Sequence, residues 1–140
     1  LQSVLYLGLD VSDKSNQSSH NYEETLHRLD SVFMTLHLAP DGVIHSVNTK
    51  FESVYGYEKD EVLEINIRSF ISENRLAEFE EMWDRCIHGE VIERVGHRNT
   101  KEGTMLTILE YYFPVHSGDE QAMEVVVYSV DITGATINFG

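Results

Sequence analysis

Cysteine is nearly absent from this chain: among 140 residues there is one, Cys86. A single thiol excludes an internal disulfide and a cysteine-built zinc site. It fits a reducing, cytoplasmic setting. Positive charge is scarce too. Ten Lys and Arg stand against 24 Asp and Glu, a formal net charge of -14 at pH 7. Nucleic-acid phosphates need neutralising by Lys and Arg, so nucleic acid is excluded as a partner, and an anionic membrane surface for the same reason. No apolar run approaches the roughly 18 residues that a membrane span needs. No Gly-x-Ser-x-Gly, phosphate-binding loop or His-Glu-x-x-His occurs. The carboxylates are many, but Glu78, Glu80 and Glu81 belong to a solvated helix face. No catalysis is expected. The apolar share of 41% and charged share of 24% are ordinary for a globular protein. The length suits one domain plus appendages, and an opening Leu in place of Met suggests a piece of a longer protein.

The richest stretch runs from Leu36 to Gly56. A strand-like run ends at Pro40-Asp41-Gly42, a strong turn signal. Val43 to Val47 then alternates apolar and polar residues as a second strand. Asn48 can cap a short helix that carries Phe51, Val54 and Tyr55 on one side. Gly56 suits the left-handed position that ends it. This turn would set His37 opposite His45 on two adjacent strands, with Cβ atoms about 5 Å apart. No third His or carboxylate is placed with them by the same logic, so no metal site is assigned.

Around that stretch, residues 14–20 are rich in Ser, Asn, Gln and His and read as a linker. Asn21 with Glu24 forms a capping-box pattern, and Tyr22, Leu26 and Leu29 then share one helix face. Val32 to Leu38 is the first strand. Short helical turns are expected at Lys59–Leu63 and Asn66–Ile71. Ser72 is placed to cap the longest helix, which runs to about His88 and carries Leu76, Phe79, Met82, Trp83, Cys86 and Ile87 as an apolar stripe. Three strands follow Gly89, at about 90–99, 104–115 and 122–133, with turns at Lys101-Glu102-Gly103 and Ser117-Gly118-Asp119-Glu120. Near the start, Val4 to Ser12 repeats the pattern of Val125 to Thr133, about one domain length apart.

This order of elements resembles the PAS domain, a sensor module of signalling proteins. The pieces that carry the resemblance are Asp41-Gly42, Asn48, Gly56-Tyr57, Lys101-Glu102-Gly103 and Asp131-Ile132-Thr133. The resemblance implies an α+β fold with a five-stranded antiparallel sheet in the order 2-1-5-4-3. Short helices and one longer helix would lie on one face, over a ligand pocket. On this reading residues 1–13 are the last strand of a preceding PAS copy and 14–30 a linker and amphipathic helix. Residues 31–134 are the PAS domain and 135–140 open a C-terminal linker. The parent would be a bacterial histidine kinase, diguanylate cyclase or chemoreceptor.

The family's cofactors are each disfavoured by departures here, and the cofactor stays unknown. Photoactive flavin-thiol members carry Cys within Asn-Cys-Arg-Phe-Leu, where this chain has Asn66-Ile67-Arg68-Ser69-Phe70. Haem members of the oxygen-sensing type place a His in the first half of the long helix, and Glu73 to Glu80 holds none. Flavin sensors of the aerotaxis type share Met82-Trp83, but Val91-Ile92 and Arg98 replace their Pro-Trp and Asn.

Strand alternation, phased by aligning Gly103 with the turn Gly of the family it resembles, implies the candidate site. Leu106, Ile108, Glu110 and Tyr112 should face the helices, with Arg98, Val127 and Ser129 from flanking strands and Leu36 and Leu38 from the first. Phe51, Tyr55, Phe70, Phe79 and Trp83 should close the opposite side. Glu110 and Arg98 are the exceptions in an apolar set, expected either to pair with each other or to orient a small polar ligand. The other face, with Thr107, Leu109, Tyr111, Phe113, Val126, Tyr128 and Val130, is too apolar for water. The leading helix and a second subunit are expected to cover it as a homodimer. Three functions remain: a module that binds a small molecule, a structural PAS with a filled core that only dimerises and relays, and a flavin redox sensor.

Overall fold

The computed structural model describes residues 16–118 and 121–135. The strand expected over residues 1–13 lies outside them. The chain forms α1 (Asn16–Val32), β1 (Met34–Leu38), β2 (Ile44–Val47), α2 (Thr49–Tyr55) and α3 (Lys59–Val62). Two 3-10 turns, Ile67–Phe70 and Glu73–Arg75, lead into α4 (Leu76–Ile87), followed by β3 (Ile92–Asn99), β4 (Met105–Val115) and β5 (Glu124–Asp131). The five strands form one antiparallel sheet in the order β2-β1-β5-β4-β3. That is the expected fold and strand order.

The core lies between the sheet's inner face and the short helices. Phe51, Val62, Phe79, Met82, Trp83 and Cys86 pack there against Met34, Leu36, Leu38, Ile108, Tyr112 and Val127. The stripe on α4 is the reason that helix docks: Phe79, Met82, Trp83 and Cys86 are its buried residues. α1 lies against the other face, where Leu26, His27, Leu29 and Asp30 share a groove with Thr35, His37 and Tyr128; Phe33, just past its end, meets Tyr128 edge-on at 6.4 Å.

Asn48 caps α2 as expected, its Oδ1 accepting from the Phe51 N–H at 3.0 Å, and Gly56 ends that helix with φ +80°. Several boundaries moved. The leading helix starts at Asn16 and takes in Asn21, whose carbonyl accepts from the Thr25 hydroxyl as a mid-helix residue would. No Gly or Pro lies between Lys14 and Ala39, so nothing in the polar stretch stops a helix. Val32 ends that helix instead of opening β1. Ser72 does not cap the long helix: its hydroxyl turns to Asn74 Oδ1, and the turn Glu73–Arg75 feeds α4.

His37 and His45 are not opposite each other. The register pairs His37 with Ser46 and Leu38 with Ile44, which leaves His45 as the extra residue of a β-bulge. His37 turns instead to β5, its Nδ1 2.8 Å from Glu124 Oε1. A two-residue periodicity has no way to register an inserted residue.

The open edge of β2 is covered. Ile44 N–H donates to the Ile65 carbonyl at 2.8 Å, Glu64 N–H to the Ile44 carbonyl at 2.9 Å, and Ile67 N–H to the Gly42 carbonyl at 2.8 Å. Gly42 has φ +95°, and a Cβ there would lie 2.6 Å from Arg68 Nη1 and 2.8 Å from Asn66 Oδ1. Gly42→Ala should therefore lower stability by about 1–3 kcal/mol, read from urea denaturation. An unchanged midpoint would show that the turn relaxes freely.

Candidate functional site

Inner-face alternation brings Glu110 and Arg98 together, and neither is long-range luck. Glu110 sits across from Arg94 on β3, while Arg98 sits across from Leu106. Arg98 must therefore lie back along β3, over the intervening inward position, to reach Glu110. That position is Gly96, where a Cβ would stand 2.9 Å from both Arg98 Nη1 and Glu110 Oε1. The missing side chain is the space the guanidinium occupies. Sequence reasoning passed over Gly96, although a glycine between two inward arginines was the available signal.

The pair is buried. Arg98 is 7% exposed and Glu110 5%. Arg98 Nη2 donates to Glu110 Oε1 at 2.9 Å and its Nη1 to the His97 carbonyl at 3.0 Å. The Tyr112 hydroxyl donates to the same Oε1 at 3.3 Å, and Arg94 Nε lies 3.9 Å from it. Burial pushes the Glu110 carboxyl above its ordinary value of 4.5, against the pull of Arg98, Arg94 and the Tyr112 hydrogen bond. Burial also works against the Arg98 charge, and Glu110, Tyr112 and Tyr55 together outweigh it. Tyr55 and Tyr112 are both pushed up, first by burial and then by Glu110, so each stays a neutral phenol.

Above the pair is a cavity of about 20 Å³. That is room for one water, far below the several hundred Å³ of a pocket for a drug-sized ligand. Of the expected site residues, Leu36, Phe51, Tyr55, Phe70, Arg98, Glu110, Tyr112, Val127 and Ser129 line it. Leu38, Phe79, Trp83 and Ile108 are buried elsewhere in the core. The Trp83 indole stacks on Phe79 at 5.7 Å and donates from Nε1 to the Pro40 carbonyl at 2.9 Å, which draws it toward the hairpin. Leu38 and Ile108 are fully buried in the sheet. Ile44 and Ile67 complete the lining and were not selected from sequence. Ile67 occupies the place of the reactive thiol in flavin-thiol relatives, and that place alone marks it as cavity-facing.

Cys86 cannot substitute for that thiol. It is fully buried on α4, and burial, then Glu90, pushes it up to about 12.

The family model for the PAS fold matches residues 29–136. The chain is 32% identical over 107 residues to biofilm dispersion protein BdlA of Pseudomonas aeruginosa, an alignment that covers 74% of this chain and 25% of that protein. This chain thus spans about a quarter of that relative's length. Among solved structures it superposes on the PAS domain of an HTR-like protein from Haloarcula marismortui with a TM-score of 0.61, at 22% identity, over 84% of this chain and all (100%) of that one. The LOV domain of a blue-light activated histidine kinase from Erythrobacter litoralis gives 0.62 at 20% identity, over 72% and 96% of the two chains. The likeness to both structures is one of fold. The chain belongs to the PAS-fold family. PAS-fold domains are sensory and interaction modules rather than catalytic ones, and no helix among the described residues is long and apolar enough to cross a membrane.

Two outcomes test this site. Arg98→Met leaves Glu110 buried with Arg94 as its nearest positive charge and the Tyr112 hydroxyl as its remaining donor, and should cost about 3–5 kcal/mol of stability. The double variant Arg98→Met/Glu110→Leu should recover most of that loss. The sign with pH follows from the direction of the Glu110 shift. A carboxyl raised in the folded state contributes stability that is present below 4.5 and lost as pH rises through its folded value. The single variant should therefore lose stability from mildly acid to neutral pH more steeply than the double variant; parallel profiles would show that Glu110 does not titrate in this way. Separately, Cys86 should react with a thiol reagent at pH 7.5 only at the rate of unfolding. Rapid labelling of the folded chain would contradict its burial.

Proposed function

We propose that this chain is the sensory PAS module of a cytoplasmic bacterial signalling protein. It reads the contents of its inner cavity and passes the result to a second subunit and a downstream domain through the leading helix and the outer sheet face. In this reading a further PAS copy precedes it, and the output is a histidine kinase, diguanylate cyclase or chemoreceptor.

The observation that carries the reading is the set of bonds made by Asn48. Its Nδ2 donates to the Asp30 carbonyl at 3.1 Å, to Asp30 Oδ1 at 2.9 Å and to the Phe33 carbonyl at 2.8 Å. Its Oδ1 accepts from Thr35 N–H and Phe51 N–H, each at 3.0 Å. One side chain thus joins the end of α1, the start of β1 and the helix whose Phe51 and Tyr55 line the cavity. A change in the cavity that moves α2 is felt by α1. The outer face supplies the second half of the relay. Phe113 stacks with Tyr111 at 6.2 Å and meets Tyr128 edge-on at 5.7 Å, and Val95, across from Leu109, is half-exposed. α1 covers the β1 and β5 end of that face, and a second copy would cover the β3 and β4 end.

The small cavity favours one other reading, a structural PAS that dimerises and relays with its core filled. Native mass spectrometry separates the two, since only the first retains a stoichiometric small molecule. A flavin redox sensor finds less support, because the cavity as formed has no room for the three fused rings.

Asn48→Ala tests the relay. Loss of the cap should cost about 0.5–2 kcal/mol. Amide exchange in α1 should accelerate well beyond that in β3 and β4, and dimerisation by sedimentation should weaken. If exchange rises uniformly across the chain, or the wild type is a monomer at high micromolar concentration, the relay is wrong.

A further inference from the structure

The polar atoms around the cavity are not all spoken for. Every hydrogen bond made to the Glu110 carboxylate among the described residues lands on Oε1, and Oε2 receives none. The hydroxyls of Tyr55 and Ser129 make none either. No fully enclosed side-chain N or O among the described residues lacks a partner, so these three open onto space that a water can reach. Glu110, Tyr55 and Ser129 are respectively 5%, 7% and 2% exposed and all line the cavity, so that space is the cavity. Three uncommitted oxygens, beside the Arg98 guanidinium in a largely apolar lining, make a built hydrogen-bonding site.

Charge then selects the ligand. Around Glu110 there are already two guanidiniums and one carboxylate. A cationic ligand would add a third positive charge to a buried cluster. An anionic ligand would offset the cluster's excess positive charge but set its own oxygens against the open acceptor Oε2. A neutral group that both donates and accepts satisfies the site: it donates to Oε2 and accepts from a hydroxyl or from Arg98. We propose that the cavity binds a small neutral molecule of this kind, a primary amide or short alcohol, and rejects its carboxylate and amine counterparts. This rests on the sensory reading above and names its ligand class. Entry needs more room than the closed cavity has. Phe70 is the lining residue placed to give it, half-buried on the single turn Ile67–Phe70 and held by an edge contact to Tyr57 at 5.9 Å.

The test uses three probes of one shape and different charge: acetamide, acetate and acetamidinium, titrated into the full chain and followed by amide NMR shifts. Acetamide should give saturable shifts around Ser129 and Tyr55, with an affinity about tenfold or more above either ion, the ratio that 1.4 kcal/mol supplies. Ser129→Val fills the cavity and should abolish those shifts in a chain whose circular dichroism is unchanged, and Phe70→Ala should strengthen binding. Binding of either ion as tight as acetamide, no saturable response to acetamide, or a response indifferent to both substitutions overturns the proposal. Such a failure leaves the Asn48 test of the relay standing, since that test needs no ligand.

Discussion

A single primary amide holds this fold together at the point where its parts would otherwise separate. Asn48 follows β2 directly and ends the hairpin, and its side chain both donates and accepts. With Oδ1 it takes two backbone N–H groups, one at the start of α2 and one in β1. With Nδ2 it reaches two carbonyls at the end of α1. Four backbone groups that lie where regular structure stops are satisfied at once, which is the accounting problem every helix end poses. Asp could serve the acceptor side but not the donor side, and Ser is too short to span both. The position therefore calls for this residue type, and the placement of α1 against the sheet follows from it.

The second constraint is electrostatic. A carboxylate in the middle of an otherwise apolar sheet face is tolerated because two arginines on the neighbouring strand converge on it. Arg94 lies directly across from it, and Arg98 reaches it because the residue between them has no side chain. Arg94, Gly96 and Arg98 form one inward row on β3, and each depends on the next. Buried ion pairs contribute little net stability compared with apolar packing. What this one supplies is a polar patch of fixed geometry beneath a small cavity, which an all-apolar core would lack.

Most of the architecture was legible in the sequence. Strand alternation, once phased by the family's turn at Gly103, assigned the inner and outer faces of β4 and β5, because a half-buried strand repeats every two residues and nothing interrupts these two. Asn48 and Gly56 announced themselves because caps need particular side chains. What was hidden has a physical reason in each case. The bulge at His45 breaks the periodicity that would have revealed it. The helix from Asn16 to Asn21 was masked by polar composition, although composition says less than the lack of a breaker. Trp83 stands outside the cavity lining, bonded to Pro40 by a tertiary contact no local pattern encodes. Ile67 was discernible from its place in the motif, while Ile44 needed the inward register of β2.

That placement of Trp83 gives the molecule an optical property. It is the chain's sole indole, it is 3% exposed, and its N–H is bonded across to the hairpin that follows β1. Tyr112, on the floor of the cavity, touches its ring edge-on at 6.5 Å. The emission of the protein thus comes from the seam between the long helix and the first hairpin, one ring removed from the cavity. The chain carries a native fluorophore stationed where the helical layer would part from the sheet, and its spectrum is a record of how firmly that seam is closed.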